Sequence, residues 1–189
     1  MKDLESKIKR ETILFFDLDG TLVETNHANF LSYNKAVNII LNKNISYNPD
    51  ERFTREKLII TFPYITKAQL DNIIETKEKF YREFLPETKL NKKVYDILNK
   101  YSKTNKTILV TNCRNNRALM TLQYYKLEEK FEKLFFRQFD KNRKVNKFKN
   151  AISDLNIMPQ NIIVFENNQS EILDAIDAGI SKENILIID

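Results

Sequence analysis

Only one cysteine, Cys113, stands among the 189 residues, so no disulfide can form within the chain. That usage fits a reducing compartment, and a cytoplasmic location is expected. Histidine also occurs once, at His27. A lone histidine with no cysteine or carboxylate at ligand spacing excludes the zinc patterns, and His27 reads as an ordinary helix-start residue. No run approaches the ~18 apolar residues of a membrane-spanning helix. The opening stretch MKDLESKIKRE is charged and lacks the apolar segment of a secretory signal. Glycine is scarce, at two residues, while lysine and asparagine are abundant, a compositional trait rather than a functional signal.

What is present describes a folded domain. Hydrophobic residues make up 42% of the chain and charged residues 30%, enough for a core and a solvated surface. The net charge is +5, with a pI near 9.1. Lysines are scattered and offset by 26 acids. The one dense basic stretch, KNRKVNKFK over 141–149, has Phe148 as its lone aromatic. Charge of this kind speaks to solubility and association. A small anionic substrate accounts for it, and no nucleic-acid partner is expected. The expected assembly is a monomer or weak dimer.

Apolar runs mark strands at Thr12–Asp17, Thr107–Thr111, Ile162–Phe165 and Ile185–Ile188, with a further short strand between Leu134 and Phe139. Helical stripes lie between them. Val94, Ile97, Leu98 and Tyr101 share a face, as do Ala118, Leu119 and Leu122. So do Ile152 and Leu155, and then Ile172, Ala175 and Ile176, with Gly179 at a helix end. Strands alternating with helices predict an α/β fold, a Rossmann-like parallel sheet covered on both faces. From about Val23 to Thr88 the alternation stops and only helical periodicity remains. Thr66 and Gln69 form a capping box there, and Pro86 closes the helix that follows. This length exceeds a simple crossover. It predicts a helical cap domain over 23–88, inserted into a core made of 1–22 and 89–189.

The strongest local signal is FFDLDGTLV over 15–23. The first strand delivers Asp17 at its carboxyl end, where reactive crevices open in such sheets, and Asp19 follows two residues later. Two acids this close repel unless a cation separates them. Magnesium suits such a pair, because it takes carboxylate oxygens and completes its shell with phosphate or water. Asp17 is then a candidate nucleophile toward phosphorus and Asp19 a candidate acid and base.

DLDGTL resembles the first motif of the haloacid dehalogenase superfamily, and the remaining motifs follow in order. The second, a Ser or Thr ending the next strand, falls on Thr111 in ILVTN, with Asn112 beside it; the resemblance implies that both hold phosphate. The third, a lysine that neutralises nucleophile and phosphate, falls on Lys147, with Lys144 as the alternative. The fourth resembles EDSxxG or EDSxxE and reads FENNQSEILDAIDAGI over 165–180. Glu166 matches the glutamate, Asn167 takes the place of the metal-binding aspartate, Asn168 the serine, and Glu171 the second acid. An amide oxygen can ligate magnesium but adds no charge, so Glu166 or Glu171 is called on to compensate. The helical insert is similar to the C1-type cap of the phosphoglycolate phosphatase and β-phosphoglucomutase branch. Such caps close over the site, and Arg52 and Arg55 are candidates there for contact with an anion.

The resemblance implies a magnesium-dependent phosphatase acting on a small phosphate monoester through an aspartyl-phosphate. Retention of Asp19 argues against a dehalogenase. Two alternatives stay open: a weakly active or non-catalytic binding protein with this fold, suggested by Asn167, and a phosphatase of nucleotides or nucleic-acid ends. Cys113 follows the second strand, but no histidine pairs with it, which excludes the usual activated-thiol arrangement.

Overall fold

The computed structural model describes residues 6–141 and 143–188. The chain divides into two compact units, one of 1–23 and 90–189, the other Glu24–Lys89.

The first unit is built on a five-stranded parallel sheet in the order β5-β4-β1-β8-β9. Its strands are β1 (Ile13–Phe16), β4 (Thr107–Val110), β5 (Lys133–Phe135), β8 (Ile162–Glu166) and β9 (Ile185–Ile187). Strand β1 is central because it is apolar at every position and buried on both faces. Leu14 and Phe16 face one layer with Leu109, Ile163 and Phe165. Ile13 and Phe15 face the other with Ile108, Val110, Ile162 and Val164. The alternation is that of a pleated strand with a core on either side. Each fully buried Leu or Phe contributes about 1.5–3 kcal/mol to that packing. The covering helices include α4 (Lys92–Tyr101), α5 (Asn115–Tyr124), α6 (Lys147–Leu155) and α7 (Gln169–Asp177). Gly179, at φ +89°, turns the chain just past the end of α7.

The chain runs outward from β1 to β4 and β5, then returns to the opposite side of β1 for β8 and β9. The reversal falls at β1, so its carboxyl end faces the crevice where such sheets bind ligands. The stretch expected to form one strand at Leu134–Phe139 is split. It contributes to β5 and, after a break, to β6 (Phe139–Asp140), which forms a hairpin with β7 (Arg143–Lys144). A further two-stranded sheet consists of β2 (Val23–Glu24) and β3 (Lys89–Leu90), elements too short to show in the sequence pattern.

The second unit is helical, with α1 (Asn26–Leu41), α2 (Arg55–Thr61) and α3 (Lys67–Phe80). Phe30, Tyr33, Val37, Leu58, Leu70 and Ile73 form its own core. The capping box at Thr66 and Gln69 is formed as expected. Helix α3 ends earlier than Pro86 suggests: it passes at Tyr81 into a 3-10 helix, Tyr81–Glu87, that accommodates the proline. Among the described residues no helix is long and apolar enough to cross a membrane.

Candidate active site

Asp17 follows the last residue of β1, and its N–H donates to the Phe165 carbonyl of β8 at 3.1 Å. Phe16 and Phe165 are register partners whose rings stack in parallel at 4.5 Å. The residues after them, Asp17 and Glu166, therefore leave two adjacent strand ends together. Both are buried, Asp17 at 6% exposure and Glu166 at 0%.

Lys147 reaches into this space from the first turn of α6. Asn146 caps that helix, accepting from the Phe148 and Lys149 N–H groups at 3.0 and 3.1 Å. The same side chain donates to the Asp174 carbonyl of α7 at 2.8 Å, which fixes the helix start against its neighbour. The Lys147 ammonium donates to Asp17 Oδ1 and Glu166 Oε2, each at 2.7 Å, and pairs closely with Glu171. Glu166 is fully engaged, since its other oxygen accepts the N–H groups of Asn167 and Asn168 at 3.0 Å. Lys144, the alternative lysine, is about 40% exposed and stands 3.9 Å from Glu171 and 3.8 Å from Asp174.

The electrostatics of this cluster are unbalanced. Three carboxylates within 4.8 Å of one another share one buried ammonium, so that with all three ionised two negative charges would be left in excess. Burial, and then the charge of Glu166, drive Asp17 well above the usual carboxylate range despite the opposing pull of Lys147. Burial raises Glu166 as well. At Glu171 burial acts upward too, but Lys147 and the hydrogen bond from Asn112 prevail and lower it. Burial would depress Lys147, yet the three carboxylates, Asp17 foremost, hold it above the ordinary lysine range.

Thr111 follows the last residue of β4, the strand that pairs with β1. Its hydroxyl oxygen accepts the Cys113 N–H at 3.1 Å, an arrangement that aims the hydroxyl proton elsewhere. Asn112 donates its amide to Glu171 Oε1 at 2.8 Å, while its own Oδ1 is buried with no hydrogen-bond partner. Asn167 lies against the turn after β1. Its Oδ1 accepts from the Thr21 hydroxyl at 3.2 Å, and its amide nitrogen would stand 2.3 Å from a Cβ built on Gly20.

Asp19 and Asp17 meet different cationic side chains. Asp19 Oδ2 accepts from Arg117 Nη2 at 3.1 Å, whereas Asp17 is paired with Lys147. Arg117 carries no motif signal. What could have pointed to it is its place in the first turn of the helix after β4, where a long basic side chain can fold back toward the strand ends. Arg55, in the helical unit, pairs with Asp71 at 3.6 Å, and His27 pairs with Glu87 at 3.1 Å.

The donors suit a hard divalent ion. With the three acids ionised charge is in excess by two, the oxygens are carboxylate and amide, and the Asn112 oxygen is buried and unsatisfied. Soft ligands are missing from the cluster: Cys113 Sγ accepts instead from Arg117 Nε at 3.1 Å.

The model of the family described as haloacid dehalogenase-like hydrolase matches residues 14–183. A phosphorylated carbohydrates phosphatase of Thermotoga maritima is 28% identical over 183 residues, covering 89% of this chain and 82% of its own. A solved Thermotoga maritima structure, described as that of a β-phosphoglucomutase, superposes with a TM-score of 0.69 at 26% identity, covering 92% of this chain and 83% of that one. A haloacid dehalogenase-like family hydrolase from Streptococcus pneumoniae shares the fold with a TM-score of 0.75 at 17% identity, covering 96% and 86%.

Proposed function

The chain belongs to the haloacid dehalogenase-like hydrolase family, and from that premise we propose that it hydrolyses small phosphate monoesters by way of a phosphorylated Asp17. The observation that carries this reading is the Lys147 ammonium, buried and shared by Asp17, Glu166 and Glu171 at the carboxyl end of β1.

In the first half-reaction a carboxylate oxygen of Asp17 attacks phosphorus, the bond to the leaving oxygen breaks, and Asp19 protonates that oxygen. In the second, Asp19 takes a proton from water as the water attacks the phosphorus of the acyl phosphate. Asp17 is released with inorganic phosphate. Lys147 neutralises Asp17 and the incoming phosphate, and Glu166, with both oxygens engaged, orients Lys147. The Thr111 hydroxyl donates to a phosphate oxygen. Asp17, Asp19, Asn167 and Glu171 would hold a magnesium ion, which would supply charge neutralisation on the phosphate.

The relative's name makes phosphorylated sugars the first substrates to test. Asn167 favours the non-catalytic alternative, since it withholds one charge. The two excess negative charges that the remaining groups carry when ionised weigh against it. The deciding experiment measures phosphate release from an aryl phosphate and a panel of sugar phosphates, with and without magnesium. Turnover that needs magnesium and is lost in Asp17→Asn is expected. An enzyme silent across the panel, or an Asp17→Asn variant as active as the parent, would overturn the reading.

A further inference from the structure

The catalytic turn after β1 is rigid in its backbone: Gly20 N–H donates to the Val23 carbonyl at 2.8 Å, and Asp19 bridges to Val23. Backbone order does not fix where the Asp19 carboxyl points. A group that passes a proton must lie within hydrogen-bond reach of the oxygen concerned, and displacement by ~1 Å can cost ~100-fold in rate. Something must therefore hold that side chain.

Arg117 is placed to do so. Its Nη2 donates to Asp19 Oδ2 and its Nε to Cys113 Sγ, both at 3.1 Å. The two side chains of the ion pair are about nine-tenths buried. The planar guanidinium thus ties the loop after β1 to the loop after β4, one edge seated on the sulfur and one arm on the carboxyl. Lysine, a single point charge on a flexible stem, has no second arm with which to be seated.

The geometry points to Arg117 as a positioning residue for Asp19: its fork, anchored on Cys113, aims the carboxyl at the leaving-group oxygen. The inference rests on the phosphatase reading above. A guanidinium N–H is accepted by a carboxylate oxygen or by the carbonyl oxygen of a protonated carboxyl. The contact therefore survives as Asp19 gives up its proton in the first half-reaction and regains one in the second.

A bridge that merely stabilises the fold and one that aims a proton donor differ in their dependence on the leaving group. Dinitrophenolate departs without a proton, whereas a sugar alkoxide requires one. The value of kcat/KM reports steps only up to phosphorylation of Asp17, so breakdown of the acyl phosphate does not enter it. In Arg117→Ala, kcat/KM for a sugar phosphate is expected to fall about 10- to 100-fold, and for 2,4-dinitrophenyl phosphate by less than about threefold. Asp19→Asn should show the same pattern more strongly, and adding Arg117→Ala to it should cost little more on sugar phosphate. Arg117→Lys, which keeps the charge without the fork, carries the test should the alanine variant fail to fold, and it should steepen the leaving-group dependence too. Equal fractional losses along the whole series, or none, would overturn the positioning role while leaving the phosphatase standing. A parent enzyme that hydrolyses no ester would remove the reading on which the role depends.

Discussion

Lys147 and Asp17, 130 residues apart in the chain, meet through a 2.7 Å hydrogen bond in a space almost closed to solvent. Neither fits there alone. The ammonium is desolvated, and the carboxylate lies among two other acids. The site exists because each cancels part of the other's cost, and it is left with an appetite for one more cation.

Removing the ammonium exposes that cost. Lys147→Met should destabilise the metal-free protein by about 3–5 kcal/mol, the usual penalty for orphaning buried charge. The penalty should shrink on acidification. Asp17 is raised in the fold, and without Lys147 it rises further, so the folded state binds a proton that the unfolded chain has shed. Stability is then gained as pH falls from the raised value toward the ordinary 3.8. Denaturant unfolding of both proteins at pH 5 and pH 7.5 in EDTA measures this. A penalty equal at the two pH values would contradict it.

Lys144 provides the contrast. It is half-exposed and stands 3.8 to 3.9 Å from its acidic neighbours. Lys144→Ala should change stability by less than about 1 kcal/mol, as exposed pairs do. Its kcat/KM should stay within about threefold of the parent, whereas Lys147→Met should lose a hundredfold or more, the scale of an electrostatic group at the reacting centre. Comparable losses in the two variants would reassign the neutralising lysine.

The two glycines separate conformational strain from function. Both have positive φ, +85° at Gly20 and +89° at Gly179. A Cβ at Gly179 would meet only Pro159, at 3.4 Å, so Gly179→Ala should cost about 1 kcal/mol with activity kept. At Gly20 the Cβ would stand 2.3 Å from the Asn167 amide. Gly20→Ala should therefore cost more, about 2 kcal/mol or a melting point lower by roughly 4–8 °C. It should also weaken magnesium binding, because Asn167 must move. Calorimetric melting beside magnesium titration tells the two positions apart, and equal effects on metal affinity would refute the link.

Much of this was legible in the sequence for definite physical reasons. The runs TILFFD and IIVF read as doubly covered strands because every position is apolar. That a helix opens at Lys147 was legible in the pattern, while the neutralising role of that lysine was implied only by the family resemblance, with Lys144 as the alternative. Less visible were features made by distant pairing. The two-residue strands β2 and β3 carry no periodicity, and Pro86 misled because a 3-10 turn can hold a proline that an α-helix rejects. Arg117 lies 98 residues from Asp19, a distance no local pattern spans. The partners of Glu166 were equally hidden: its oxygens accept from Lys147 and from the backbone of its own loop.

Asn167 is where this chain departs most from its family's pattern, and restoring the acid gives a prediction with two opposed signs. Without metal, Asn167→Asp adds a fourth carboxyl to a site that, with its acids ionised, is already in excess by two negative charges. The variant should then be less stable than the parent by about 1 kcal/mol, the scale of a like charge at short range in a partly screened site. With magnesium the order should reverse. An added carboxylate strengthens a hard-ion site, and roughly tenfold tighter binding, about 1.4 kcal/mol, is expected. Because a ligand at 100 times its Kd adds about 2.7 kcal/mol to the fold, magnesium should raise the variant's melting point by more than the parent's. Isothermal titration and paired melts in EDTA and in magnesium read both signs. An affinity that does not move would place Asn167 outside the coordination shell and leave the metal to Asp17, Asp19 and Glu171.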